Sequence, residues 1–289
     1  MLYSLTYSLE QTNALLSVTT AWLFNKLWIN QKLCTSSQSM QGKTVLITGG
    51  NSGIGYETAK DLLRRGARVI IACRNMDKGR QAVQKLYSET KCQENNLRLM
   101  KCDLCSFESI RKFANLYNNE EERLDVLMCN AGLSWSPYFI TKDGFNSVMQ
   151  ANYLGHFLLT NLLRDTLRQS RPSRIVNVSS RAHRTEGINT FSLCPGWVWT
   201  SFQSPMREAI GLYKFLVLYP IICLCRSVFT KTPEIGAQTV IYGAVEPSIQ
   251  RSTDIFFENG AASKATALCT DSNNADQLWK LSADAVRLN

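Results

Sequence analysis

Residues 44–55, Thr-Val-Leu-Ile-Thr-Gly-Gly-Asn-Ser-Gly-Ile-Gly, run a short apolar stretch directly into a glycine-rich turn. The segment 44–47 reads as a buried strand. Residues 53–65 read as an amphipathic helix, with Gly66 as its C-terminal cap. Gly49, Gly53 and Gly55 remove side chains where a backbone must come close to a phosphate. The following helix aims its first amides and the positive end of its dipole at the same point. The turn follows one strand, opens a helix and is followed by another strand at 68–72, which is the setting a phosphate-cradling turn requires. Asn51, Ser52 and Ile54 complete the candidate contact set. An ordinary strand-to-helix turn is the plainer alternative and ranks well behind.

The rest of the chain repeats the alternation. Helices are expected at 76–88, after Ser106 as cap, at 148–168, and from Thr232-Pro233, where threonine caps and proline takes the first turn. Strands are expected at 97–102, 126–129, 174–179 and 188–194, with a last one at 254–257. This pattern predicts an α/β fold, a Rossmann-type doubly wound parallel sheet. The division is an N-terminal hydrophobic segment, 1–41, and a nucleotide-binding domain, 42–289.

The 289 residues are 45% apolar, with 7 prolines and 16 glycines, which excludes collagen-like and wholly disordered chains. The net charge of +9 favours anionic partners. The charges are scattered, however, and no basic cluster is interleaved with aromatics, so nucleic acid is not expected. Ten cysteines show no framework. Cys102/Cys105 and Cys223/Cys225 lack the spacing of a zinc ribbon, and no metal is expected. Cys73, Cys102, Cys129 and Cys194 sit in apolar runs and read as buried reduced thiols.

The second strand ends Ala72-Cys73-Arg74-Asn75. Sites that hold NAD usually place an acid there for the ribose hydroxyls. Here no acid stands, and Arg74, with Asn75 beside it, can take a 2′-phosphate. The expected cofactor is NADP(H).

Further motifs follow in order: CDL at 102–104, NAG at 130–132, NYLGHFLLT at 152–160, RIVNVSSRAH at 174–183, PGWVWT at 195–200 and KTPEIGAQT at 231–239. With the glycine turn, this series resembles the short-chain dehydrogenases/reductases, in particular the retinol dehydrogenase branch, from about residue 42 to the C-terminus with one gap. The resemblance implies that Asp103 and Leu104 lie beside the adenine, and that Asn130, Ala131 and Gly132 line the cofactor crevice. Cys129 stands where asparagine is more usual. Pro195, Gly196 and Thr200 would meet the nicotinamide half. Asn152 would be the structural asparagine of the catalytic tetrad, and Ser180 the serine that hydrogen-bonds a substrate carbonyl. His156 and His183 read as structural. The implied substrates are lipophilic alcohols or aldehydes of the retinoid, steroid or lipid class.

The family's tyrosine and lysine, one helical turn apart after the VSS strand, are absent. The chain holds Tyr56/Lys60, Tyr87/Lys91 and Tyr138/Lys142, but all three precede Ser180. None of Tyr213, Tyr219 and Tyr242 has a lysine four residues on. Between Ser180 and Ile188 there is no room for the helical crossover that parallel neighbours normally need. The crossover after the fifth strand is therefore read as deleted, near Thr185–Glu186. Both flanks match well, which suits a skipped exon or faulty gene model better than drift. The expectation is an impaired or inactive enzyme, or else a non-catalytic protein that binds NADP(H) or a partner.

Residues 14–29 are mostly apolar, a little short of the ~20 needed to span a bilayer, with Trp22 and Trp28 suited to an interface. A marginal anchor, an interfacial helix and a helix packed on the domain are all open. Membrane association is favoured, at the endoplasmic reticulum with the domain facing the cytosol, with a cytoplasmic protein as the alternative. The run 215–225 is too short to span and suits a lipophilic pocket, a membrane contact or ordinary core.

Overall fold

The computed structural model describes residues 33–133, 138–178, 189–195, 198, 231–251, 256–258, 261–262 and 271–288. The elements run β1 (Thr44–Thr48), α1 (Gly53–Arg64), β2 (Arg68–Cys73), α2 (Met76–Thr90), β3 (Leu97–Lys101), α3 (Phe107–Glu120), β4 (Val126–Cys129) and a short α4 (Ser147–Met149). A π-helical turn, Gln150–Leu154, leads into α5 (Gly155–Leu162). Then come α6 (Arg164–Gln169), β5 (Arg174–Val178), β6 (Asn189–Cys194), α7 (Pro233–Val245), β7 (Phe256–Glu258), β8 (Ala261–Ala262) and α8 (Ser272–Val286).

One sheet has the order β3-β2-β1-β4-β5-β6-β7-β8. All neighbours are parallel except β7 and β8. The order reverses between β1 and β4, so the C-terminal ends of these strands open the crevice where ligands bind in open α/β sheets.

Alternation along each strand divides the core. Val45 and Ile47 of β1, with Val69 and Ile71 of β2, face α1 and α7. Leu46, Ile70, Leu127 and Ile175 face α3 and α5. Helix α1 buries Gly55, Tyr56, Ala59, Leu62 and Leu63, the spacing of a single helical face. Gly66 ends the turn after it at φ +87°, a conformation that favours glycine.

Strands β5 and β6 pair in parallel from Arg174 opposite Asn189 to Val178 opposite Leu193. Only residues 179–188 separate them, fewer than a helical crossover needs. Ten extended residues reach about 33–36 Å, ample to run back along a five-residue strand. The sixth strand thus pairs with β5 across a connection shorter than a helical crossover.

Two elements were not foreseen, β8 and α8. Helix α8 docks on α5, with Trp279 edge-on to Phe157 at 4.9 Å and Tyr153 Oη 2.7 Å from Ser282 Oγ. Ahead of β1, Met40 is buried in the core and the Cys34 amide donates to Gln238 on α7. The apolar segments at 14–29 and 215–225 lie outside the described residues. Among the described residues no helix is long and apolar enough to cross a membrane.

Candidate functional site

The glycine turn sits at the C-terminal end of β1. Gly49 has φ +68° and Gly53 φ +57°, both in the left-handed region. A Cβ at Gly49 would lie 3.0 Å from Ala131 Cα. At Gly55 it would lie 2.5 Å from Asn130 Nδ2 and 2.6 Å from the Gly49 carbonyl oxygen. These close approaches stack the start of α1, the turn and the segment after β4 into one shelf. Asn51, Ser52 and Ile54 lie on it, with Ser52 exposed at the helix N-cap position. No acidic residue occupies the first turn of α1, whereas α2, α3 and α7 each carry one. An anion at this helix end therefore meets free dipole rather than a carboxylate. The residues present fit a pyrophosphate.

Thr48 holds the shelf together. Its Oγ1 accepts the amides of Asn130 at 2.9 Å and Ala131 at 3.0 Å, and lies 2.8 Å from His156 Nε2. The Asn130 side chain donates to the Thr48 carbonyl at 2.9 Å. Gly132 is exposed beside them.

Arg74 is exposed at the end of β2 and pairs with no acidic side chain among the described residues. The Asn75 side chain accepts from the Lys78 amide at 2.9 Å, so its carbonyl oxygen caps α2. Asp103 Oδ1 accepts the Cys105 amide at 3.0 Å, and Leu104 is buried with its carbonyl oxygen against Gly155. Asp103 and Leu104 thus shape the loop after β3.

Asn152 lies in the π-helical turn. Its Oδ1 accepts the Leu133 amide at 2.7 Å and its Nδ2 donates to the Leu133 carbonyl at 2.9 Å. Both ends of the amide thus fasten the loop after β4. Pro195 is buried at the end of β6. Ser180, Gly196, Thr200 and His183 lie outside the described residues.

Of the three Tyr/Lys pairs, two have their tyrosine hydroxyl bonded to other groups and the third has an exposed tyrosine. Tyr56 Oη donates to Glu89 at 3.2 Å, and Lys60 lies between Glu57 and Glu89. Burial, with Glu89 beside it, pushes the Tyr56 phenol up, the opposite of what a proton-exchanging tyrosine needs. Tyr87 Oη bonds the carbonyls of Glu94 and Leu97, and burial raises it too. Tyr138 is 71% exposed on a surface hairpin.

Cys73, Cys102 and Cys129 are buried and Cys194 is half-buried. Burial pushes Cys102 and Cys129 up to about 12, so neither is a ready nucleophile. Among the described residues no three His, Cys, Asp or Glu side chains converge on one point.

The profile of the short chain dehydrogenase family matches residues 43–192, and the chain belongs to that family. Within it the chain stands in the retinol dehydrogenase-like branch. It is 34% identical to human retinol dehydrogenase 11, over 90% of this chain and 91% of the relative. It is also 34% identical to human retinol dehydrogenase 13, over 96% and 94%. Among solved structures, a short chain dehydrogenase from Shigella flexneri complexed with NADP superposes with a TM-score of 0.57 at 23% identity, covering 78% of this chain and all of that one. Salutaridine reductase from Papaver somniferum superposes at 0.54 with 19% identity, over 75% and 99%. The family and the shelf support a nicotinamide cofactor for this oxidoreductase chain.

Proposed function

We propose that this chain binds NADP(H) in the crevice between β1 and β4, and that it descends from an oxidoreductase of lipophilic alcohols and aldehydes of the retinoid kind. The observation that carries the reading is the shelf of Gly49, Gly53 and Gly55 against Asn130 and Ala131, with the cation Arg74 at the end of β2. The α1 amides and the turn take the pyrophosphate. Arg74 takes the 2′-phosphate, with Asn75 beside it. Asp103 and Leu104 border the adenine, Asn130 to Gly132 the middle of the crevice, and Pro195, Gly196 and Thr200 the nicotinamide half. When bound, the nicotinamide supplies or accepts hydride.

Ser180 would hydrogen-bond the substrate carbonyl. The proton that must accompany hydride has no tyrosine–lysine carrier in this reading, because no such pair follows Ser180 and the hydroxyls of Tyr56 and Tyr87 are bonded to other groups. A general acid–base group is worth about 10²–10⁴ in rate, so turnover by this chain is negligible. The similarity to human retinol dehydrogenase 11 runs over 303 positions yet takes in only 90% of a 289-residue chain, in keeping with a segment of the relative that this chain lacks. The chain is thus an NADP(H)-binding pseudoenzyme. The apolar stretch 14–29 of its N-terminal segment would bring it to a membrane.

The test is the melting temperature of the purified chain against NADPH and NADH, together with NADPH-dependent retinal reduction. A rise selective for NADPH with no sustained turnover is expected, since a ligand that binds only the folded state stabilises it progressively. No shift with either nucleotide refutes the binding reading, and steady reduction refutes the inactive one.

A further inference from the structure

His156 is 7% exposed, yet it makes polar contacts on both sides. Nε2 lies 2.8 Å from Thr48 Oγ1, and Nδ1 lies 3.3 Å from the Asn152 carbonyl oxygen, one turn back in its own helix. Counting donors and acceptors assigns the protons. Thr48 Oγ1 already receives two amides, from Asn130 and Ala131, and a hydroxyl oxygen has only two lone pairs. A third donor from Nε2 has nowhere to bond. With the proton on Nε2, moreover, the Nδ1 lone pair would face the lone pairs of a carbonyl. The only assignment that satisfies every group has Nδ1–H donating to Asn152, and the Thr48 hydroxyl donating to Nε2.

We propose that His156 is a positioning residue for the cofactor shelf. As neutral imidazole it takes the hydroxyl proton of Thr48, so that both lone pairs of Thr48 stay on the amides of Asn130 and Ala131. Resting on the NADP(H) reading above, this joins β1, the segment after β4 and the π-helical turn into one hydrogen-bonded unit. His156 itself does not touch the cofactor. Its opposite nitrogen bonds the backbone of Asn152, whose side chain fastens Leu133. One ring therefore couples the floor of the pyrophosphate site to the loop after β4. The nearest competitor for the Thr48 proton is the Met128 carbonyl, at 3.2 Å.

The experiment measures NADPH dissociation constants for the full chain, His156→Leu, His156→Gln, Thr48→Val and the double variant His156→Leu/Thr48→Val. Melting without nucleotide and the imidazole ¹⁵N spectrum accompany them. The Nδ1–H tautomer is expected at neutral pH. His156→Leu should weaken NADPH about tenfold, the loss of one buried hydrogen bond. His156→Gln, whose amide oxygen can still accept from Thr48, should recover most of that affinity. Adding Thr48→Val to His156→Leu should cost less than Thr48→Val alone. The proposal is overturned by the Nε2–H tautomer, by additive effects in the double variant, or by unchanged NADPH affinity in His156→Leu. The last would mean that Thr48 has turned to Met128. A merely structural role would lower melting without nucleotide in both His156 variants and leave affinity alone, which also overturns it. If the unsubstituted chain binds no nicotinamide nucleotide, the NADP(H) reading itself falls and takes this one with it.

Discussion

Gly55 and Asn130 are in contact across the crevice: a Cβ at Gly55 would stand 2.5 Å from Asn130 Nδ2 and 2.6 Å from the Gly49 carbonyl. One neighbour is a side-chain amide that could turn aside. The other is backbone, which cannot move without distorting the turn. Gly55→Ala should therefore destabilise the fold by about 1–3 kcal/mol, the usual cost of overpacking, and remove the melting shift given by NADPH. A Gly55→Ala protein with unchanged melting and unchanged NADPH response would show that the shelf is loose.

Arg74 is exposed and outside the core, so its replacement should leave melting without nucleotide within about 0.5 kcal/mol of the parent. Arg74→Glu should weaken NADPH by about ten- to a hundredfold, the worth of a charge-assisted hydrogen bond, and improve NADH by offering the ribose hydroxyls an acceptor. Titration with both nucleotides measures the ratio. An unchanged ratio would remove Arg74 from the site.

Burial lowers His156 to about 4, against about 6.5 for an unperturbed histidine. The folded state therefore binds the proton less readily than the unfolded one. This contribution to stability is complete above about pH 6.5, declines as the pH falls toward 4, and is lost below it. Over that window it amounts to about 3 kcal/mol. Denaturant melts from pH 7 to pH 4 should show the loss, and His156→Gln should flatten it. Equal slopes in parent and variant would place the pH sensitivity elsewhere.

Trp279 holds α8 against Phe157 of α5. Trp279→Ala should cost about 2 kcal/mol, less than the 3–5 of a fully buried tryptophan because part of the ring is exposed. Amide exchange in α8 should quicken while β1 and β4 remain protected. Quickened exchange through the whole sheet would mean that α8 belongs to the central cooperative unit.

The order of strands and helices, the glycine turn and the basic end of β2 were legible along the chain, because each depends on neighbours in sequence. Apolar runs alternating with amphipathic ones dictate a parallel sheet covered on both faces, and glycines at 49, 53 and 55 announce a close approach of backbone. The absence of a Tyr/Lys pair after Ser180 is likewise a property of the string of residues. What stands opposite each glycine was decided only in three dimensions: Ala131 against Gly49, and Asn130 against Gly55. So was the docking of α8, where Leu278 and Leu281 stay exposed while Trp279 packs on Phe157 and Val286 is buried, a choice of face made only once α5 is there to receive it. The pairing of His156 with Thr48 spans more than a hundred residues. No local pattern marks it, because a buried histidine obtains its role from the donors and acceptors that the fold brings to it.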